Sequence, residues 1–480
     1  MIEPLHSLVP PSPGASMNCI ERVVRNVREN PAGLAVWTER EGVTSMGDFA
    51  KLVGSAQRLL RAAGVGPGDH VLLVALPSPR VYAAMVALMG LGAVGLTIEP
   101  WMPVARVESV VAKIAPKAFV ASFLGKVWGA RVASVRKIPR WVSIGAVRAE
   151  GSGEIAQVGV APDARAMITF TSGTTGTPKG IVRTHRYMED AHVVLRRATD
   201  VGSNAPGLAV FPGVVLYELA AGRGAILVPS SWKPRDLLKI SQLPSELQPE
   251  TCACGPAFLR VLLGVSGFEK LRSICVGGAL IDCEIVESAA QRWPEMDVRH
   301  IYGGSEVEPV ALTDARAAVA QSRARGLHQL LSLGGPIDAI RAEPSTEGLW
   351  VAGKHVAPEY IDSGEEDRRA KRRDADGTLW HNMGDRIDVD AAGWWYGGRA
   401  SQPAGDFALE QRIYGALGSS ASFVHRGPSG EAVLVGEGVK GREADVRAKF
   451  PEIVSVREAK IRRDRRHRAR IDRAESWRRS

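Results

Sequence analysis

The run VYAAMVALMGLGAVGLTI, residues 81–98, constrains the fold of this chain more than any other segment. Eighteen residues without a charge reach the length at which a membrane-crossing helix has to be considered. Gly90, Gly92 and Gly95 argue otherwise, because they divide the run into a helix-like VYAAMVALM and a β-rich AVGLTI. The pattern predicts a buried helix, a turn and a strand of an α/β core. The same glycines spell G-x-G-x-x-G, but a dinucleotide fingerprint follows a strand and opens a helix, and here the order is reversed. A nicotinamide-dependent oxidoreductase is therefore the weakest of the functional readings.

The alternation of helix and strand continues along the chain. Residues 17–27 and 45–63 carry helical periodicity, and residues 70–76 (HVLLVAL) read as a strand after the turn signal GPGD. Further β-type runs are 166–170, 225–229, 273–276, 349–352 and 432–435. Strands alternating with helices predict an α/β protein whose parallel-rich sheets are covered by helices. At 480 residues the chain can hold two or three cores, and 45% hydrophobic with 24% charged residues excludes wholesale disorder. Residues 363–377 (SGEEDRRAKRRDADG) read as an exposed charged connection. The small-residue stretch 400–406 (ASQPAGD) reads as a linker, which places a domain boundary at Arg399.

Five cysteines are odd in number and sparse for the length, so they predict a reducing, cytoplasmic setting without a disulfide framework. Cys252 and Cys254 form C-x-C, but no second pair stands at zinc-ligand spacing, and they read as small buried apolar residues. The chain carries 61 basic against 52 acidic residues. Residues 460–480 hold 10 basic and 3 acidic, leaving 51 against 49 elsewhere. Such a basic tail suits nucleic acid, an anionic membrane or a phosphate-rich ligand such as CoA, or is simply a solvated terminus. With only His467 and Trp477 interleaved it lacks a base-stacking platform, so no nucleic-acid partner is expected.

The chemistry is concentrated in four motifs. FTSGTTGTPKG, residues 170–180, follows an apolar strand and sets Gly173, Gly176 and Gly180 among Thr171, Ser172, Thr174, Thr175 and Thr177. Backbone N–H groups and hydroxyls in that density, with Lys179 as a mobile cation, make an anion cradle. The spacing is not that of Walker A, so a P-loop kinase or GTPase is not expected. YGGSE, residues 302–306, puts an aromatic face, two glycines, a hydroxyl and a carboxylate together, as a site that stacks a base and holds Mg²⁺ would need. Met383-Gly384-Asp385 offers a carboxylate to sugar hydroxyls, and GWWYGGR ends in Arg399. Each of the last three alone is as compatible with a turn.

Together and in order, these motifs resemble the AMP-forming adenylating superfamily of acyl-CoA synthetases, carrier-protein adenylation domains and luciferases, over nearly the whole chain. The resemblance implies an adenylating-enzyme fold, with residues 1–399 as the AMP-binding domain and residues 400–480 as a small, mobile α+β lid with a basic tail. It assigns Thr171, Ser172, Gly173, Thr174, Thr175, Gly176 and Lys179 to the pyrophosphate end of ATP. Gly278, Ala279 and Tyr302 fall on the adenine pocket, with Gly303 beside them. Ser305 falls at the α-phosphate, Glu306 at Mg²⁺, Asp385 at the ribose and Arg399 before the hinge. The implied reaction turns a small carboxylic acid and ATP into an acyl adenylate and pyrophosphate, then passes the acyl group to a thiol of CoA or of a carrier protein's phosphopantetheine. TIEPWMP (97–103), KIAPKAFVAS (113–122), GSEVEP (304–309) and IRRDRRHRARID (461–472) further resemble long-chain acyl-CoA ligase-like proteins and olefin β-lactone synthetases. In the latter the substrate's own β-hydroxyl closes a ring and no thiol is needed.

Three positions depart from the family pattern. Arg470 stands where a lysine bridges acyl carboxylate and α-phosphate, and a planar guanidinium does not replace a compact ammonium. That departure motivates a third reading, a nucleotide-binding protein that has lost the chemistry. Residues 211–222 (FPGVVLYELAAG) lack the histidine or second aromatic of the acyl-pocket gate, and Ala400-Ser401 replaces the usual acidic hinge. Val214, Leu216, Tyr217, Pro256 and Phe258 fall by resemblance on an apolar acyl pocket.

Overall fold

A computed structural model describes residues 16–98, 102–171, 179–199, 202–361, 364–463 and 471–478. The chain divides into two compact units, residues 1–229 with 354–369 and residues 230–353 with 370–480.

In the first unit the 81–98 run folds as its glycines predict. The helix Pro79–Gly90 starts at Ser78, whose Oγ accepts the Val81 N–H, and the strand Val94–Thr97 follows a turn in which Gly92 has φ +68°. Gly90, the last helical residue, has to be glycine because a Cβ there would lie 2.7 Å from the Ala156 carbonyl oxygen. Helix precedes strand, the reverse of a dinucleotide fingerprint. Val94–Thr97 is one of seven strands, in the order Tyr360–Ile361, Lys179–Thr184, Arg165–Thr171, Val94–Thr97, His70–Val74, Ala118–Ala121, Arg140–Ser143. The last five are mutually parallel, and Lys179–Thr184 runs antiparallel to both of its neighbours.

Helices Met46–Ala62 and Pro79–Gly90 fill one face of this sheet through Phe49, Val53, Tyr82 and Val86. Val107, Val111, Val132 and Val135 fill the other against Leu72, Leu96 and Phe119. Ser45 caps Met46–Ala62 by accepting the Asp48 N–H at 3.0 Å, worth about 1 kcal/mol. Both faces are covered, which is why these strands read as continuous apolar runs.

The second unit holds the parallel strands Thr251–Cys254, Ser273–Gly277 and Asp297–Gly304, with Val307–Asp314 antiparallel at the end. It also holds a three-stranded sheet (Ser332–Gly334, Gly393–Arg399, Asp385–Asp390) and a four-stranded one (Arg341–Ser345, Gly348–Ala352, Leu379–Asn382, Lys371–Arg373). Its last part is a mixed sheet of Ser422–Arg426, Ala432–Gly436 and Ile453–Glu458 with helices Ala404–Leu417, Glu443–Lys449 and Arg473–Arg478. The α/β expectation therefore holds, and every β-type run named from the sequence contains a strand, with 70–76 and 225–229 each running two residues past the end of theirs.

Two segments differ from the sequence reading. Within 363–377 the chain forms a helix Gly364–Ala370 and an edge strand Lys371–Arg373, because that strand pairs with Leu379–Asn382 while its charges stay in water. Within 400–406 the helix Ala404–Leu417 has already begun, since Asp406 is buried and accepts Arg426 Nε at 2.9 Å. Four cysteines, Cys252, Cys254, Cys275 and Cys283, are buried as small apolar residues, and burial pushes the Cys275 thiol up to about 12. No helix among the described residues is long and apolar enough to cross a membrane.

Candidate active site

The parallel pairing of Ser273–Gly277 with Asp297–Gly304 brings YGGSE and the Gly278-Ala279 pair to one sheet edge. Gly277 stands opposite Ile301, so Gly278-Ala279 and Tyr302-Gly303 emerge side by side where both strands end. The carboxyl ends of parallel strands are where α/β proteins bind ligands. The approach is close enough to require glycine, since a Cβ on Gly277 would lie 2.3 Å from the Ile301 carbonyl oxygen and Gly278 has φ +80°. The chain then reverses through Gly304-Ser305-Glu306 into Val307–Asp314. A Cβ on Gly304 would meet Met383 Cε at 3.3 Å and Glu306 Oε2 at 3.4 Å, which puts the Glu306 carboxylate next to the third motif.

Asp385 is the hub of that neighbourhood. It is 5% exposed, and its two oxygens accept the Tyr302 hydroxyl at 2.8 Å and the Tyr396 hydroxyl at 3.3 Å. Arg399 Nη1 lies 3.0 Å from Asp385 Oδ1 and donates to the Met383 carbonyl at 3.2 Å. Burial would lower the Arg399 pKa, but Asp385 first, then Tyr396, Tyr302 and Glu306, outweigh it and hold the guanidinium charged. Burial, reinforced by the Asp385 charge, pushes the Tyr302 phenol well above its ordinary value, so it acts as a donor. The site thus presents a buried carboxylate, a neutral phenol and a fixed cation, with a second carboxylate, Glu306, close by.

Asp385 and Arg399 meet because of a β-bulge. From the Asp390–Gly393 turn the hairpin pairs Val389 with Trp394, Asp388 with Trp395 and Ile387 with Tyr396. Continued without interruption, that register would set Asp385 opposite Gly398. One extra residue in the Gly393–Arg399 strand, at the Gly397-Gly398 pair, sets it opposite Arg399 instead. Gly398 has φ +93° and packs where a Cβ would strike Phe407 at 2.7 Å. Tyr396 was not singled out from the sequence. The signal was present, because the GWWYGGR strand faces the Asp385 strand across a short turn.

In the first unit, Thr171 pairs with Lys179 and Phe170 with Gly180 across an antiparallel hairpin. The strands on either side of the glycine-rich segment are antiparallel partners, and a strand rather than a helix follows it, in keeping with its departure from Walker A. Lys179 Nζ sits 5.2 Å from the centroid of the Tyr360 ring. Gly180 is obligatory there, because a Cβ would lie 2.4 Å from Ile361 Cγ2. The loop residues Ser172, Gly173, Thr174, Thr175 and Gly176 fall outside the described residues, as does Arg470. Arg470's flanks are anchored: Arg463 bridges Ile471, and Arg473 donates to both oxygens of buried Glu410 at 2.6 and 2.7 Å.

Leu216, Pro256 and Phe258 are buried, and Val214 and Tyr217 partly so. The ring that joins Tyr217 comes from another helix, as His192 lies 5.4 Å from it and the Tyr217 hydroxyl pairs with Thr199 at 2.9 Å.

Among the described residues no group of three or more His, Cys, Asp or Glu side chains gathers as a metal site. A single carboxylate such as Glu306 fits Mg²⁺, which is commonly held by one or two carboxylates with phosphate oxygens and water completing the shell.

The AMP-binding enzyme profile matches residues 23–343. The chain is 26% identical over 385 residues to an olefin beta-lactone synthetase of Xanthomonas campestris pv. campestris, covering 70% of this chain and 68% of that protein. It is 24% identical over 385 residues to the olefin beta-lactone synthetase of Stenotrophomonas maltophilia, covering 72% and 70%. Among solved structures, the amide bond synthetase of Marinactinospora thermotolerans superposes with a TM-score of 0.79 at 18% identity, over 95% of this chain and 98% of that one, and so shares the fold.

Proposed function

We propose, proceeding from the fact that this chain belongs to the AMP-binding enzyme family, that it is an ATP-dependent carboxylate-adenylating ligase. A carboxylate oxygen attacks the α-phosphorus of ATP, the bond to the bridging oxygen breaks, and pyrophosphate leaves. The acyl carbon of the adenylate is then attacked by a thiol of CoA or of a carrier protein, with loss of the thiol proton and departure of AMP. The observation that carries this reading is the Asp385 hub at the carboxyl edge of the sheet, where Tyr302, Tyr396 and Arg399 converge on one buried carboxylate.

Each residue has a definite task in this reading. Tyr302 gives a ring face to adenine, with Gly278 and Ala279 letting the base approach the backbone. Asp385, held in place by Arg399, accepts ribose hydroxyls. Ser305 donates to the α-phosphate, while Thr171 and the loop through Gly176, together with Lys179, hold the leaving pyrophosphate as charge builds on it. Glu306 would hold Mg²⁺, which when bound neutralises charge on the phosphates. Residues 400–480 form the lid, turning about a hinge just after Arg399 and bringing Arg470 to the reacting carboxylate.

A second reading keeps the adenylation and changes the acceptor, so that a β-hydroxyl of the same substrate displaces AMP and closes a β-lactone. The similarity to two olefin beta-lactone synthetases favours it. The test is pyrophosphate release from Mg-ATP against a panel of carboxylic acids without thiol. Stimulation by one acid class supports adenylation, and the product mass then separates thioester from lactone. ATP binding with a flat panel would overturn it in favour of a nucleotide-binding protein without the chemistry, as Arg470 in place of lysine suggests.

A further inference from the structure

The short helix Phe123–Gly129 is built inside out. Its closest contacts with the sheet are made by glycine, with Trp128 packed beside them: a Cβ on Gly125 would lie 2.5 Å from the Val74 carbonyl oxygen, and one on Gly129 would lie 2.7 Å from the Phe119 ring. Its outward face is apolar, with Phe123 78% and Leu124 73% exposed and Val127 one turn on from Phe123. Rotating the helix cannot hide these side chains, because the positions of Gly125 and Gly129 against the sheet leave no space for a larger residue. Leu76, 68% exposed, extends the ridge, since Val74 pairs with Ala121 and both chains leave the sheet together.

The segment that carries the ridge is basic, its charges spread from the ridge to the opposite end of the sheet. Residues 102–140 contain eight basic residues and one acidic, Glu108, whose Oε1 accepts the Ala133 N–H at 3.1 Å. Lys117 pairs with Asp69. Lys113, Arg131, Arg136, Lys137 and Arg140 are exposed and Lys126 half-buried. Val107, Val111, Val132 and Val135 share one core, so the helices Val104–Ile114 and Ala133–Arg136 and the Phe123–Gly129 turn lie on one face of the sheet.

We propose that this face is a docking surface for an anionic phospholipid bilayer, with Phe123, Leu124 and Leu76 entering the interface and Lys126, Arg131 and Lys137 meeting lipid phosphates. Interfacial binding needs both elements, an apolar insertion and basic residues around it, and either alone is weak. A protein partner would leave unexplained why the apolar ridge is confined to one glycine-seated turn of a basic segment. The inference does not depend on the proposed reaction, although an apolar acid substrate would be most concentrated at such a surface.

The test is co-sedimentation of the full chain with vesicles of phosphatidylcholine, alone or with about one-third phosphatidylglycerol. Binding to the anionic vesicles is expected, weaker by tenfold or more on phosphatidylcholine alone and reduced by high salt. Phe123→Ser with Leu124→Ser should weaken it about tenfold or more, and Lys126→Glu with Arg131→Glu by a similar factor. Phe123, Leu124 and Arg131 are exposed and Lys126 half-buried, and far-UV circular dichroism checks the fold. Absence of binding to anionic vesicles overturns the proposal, as does binding that both double variants leave intact, which would assign it to the basic 460–480 tail. A dimer of the wild type that the Phe123, Leu124 variant dissolves, with no lipid binding, would make the ridge an interface between two copies and equally overturn it.

Discussion

Asp385→Asn isolates the hub of the candidate site with the smallest change of shape. Asparagine keeps one acceptor oxygen, so one of the two phenols retains its bond, but it offers an NH₂ group where the other phenol donates. Losing a hydrogen bond to a charged group costs about 1.5–3 kcal/mol. Arg399 loses the partner 3.0 Å away; orphaning a fully buried charge costs about 3–5 kcal/mol, and with the Arg399 side chain one-third exposed water recovers a good part of it. The two effects overlap at the same oxygens, and together they come to about 2–4 kcal/mol. Differential scanning calorimetry should therefore show Tm falling by about 2–4 °C, since a chain of 480 residues shifts by roughly 1 °C per kcal/mol. Isothermal titration with ATP and its 2′,3′-dideoxyribose analogue supplies the functional half. The wild type should prefer ATP by about tenfold or more, and the variant should bind both equally. An unchanged Tm with the preference for ATP intact would refute both the energetic and the functional reading of Asp385.

Three further outcomes follow from the same geometry. Glu306→Gln should lower Mg-ATP-dependent pyrophosphate release by two orders of magnitude or more while leaving the melting curve in place, and near-normal release would remove Glu306 from the metal site. Arg470→Lys should preserve or raise that rate and Arg470→Ala should lower it, whereas equal losses would mean that the guanidinium has a geometry of its own. Burial lowers the His300 pKa to about 4, only partly offset by its bond to the Ser332 carbonyl. A buried neutral histidine stabilises the fold fully above its unfolded pKa near 6.5, and the stability is lost as pH falls toward 4. That amounts to about 3 kcal/mol by pH 4, so in urea titrations His300→Gln should flatten the pH slope of stability between 6.5 and 4, and an identical slope would contradict it.

What the sequence determined by itself is whatever rests on near neighbours. The 81–98 run declared its helix, turn and strand because glycine conformational freedom and apolar periodicity act over a few residues. The periodicity of 45–63 announced the helix Met46–Ala62, and the glycine, serine and threonine content of 170–180 announced an anion loop. The resemblance of YGGSE and its companions to a known family supplied the roles. Long-range register lay beyond that reach. Asp385 faces Arg399 rather than Gly398 only because one bulge shifts a strand by a residue, and Tyr396 joins them only through that pairing. His192 reaches Tyr217 from a different helix. Phe123 and Leu124 would pass in a sequence for buried core, and their exposure follows from Val74 and Phe119 occupying the space behind Gly125 and Gly129. Local propensity is encoded residue by residue, whereas register, approach distance and which face of a helix meets a sheet depend on atoms tens or hundreds of residues away.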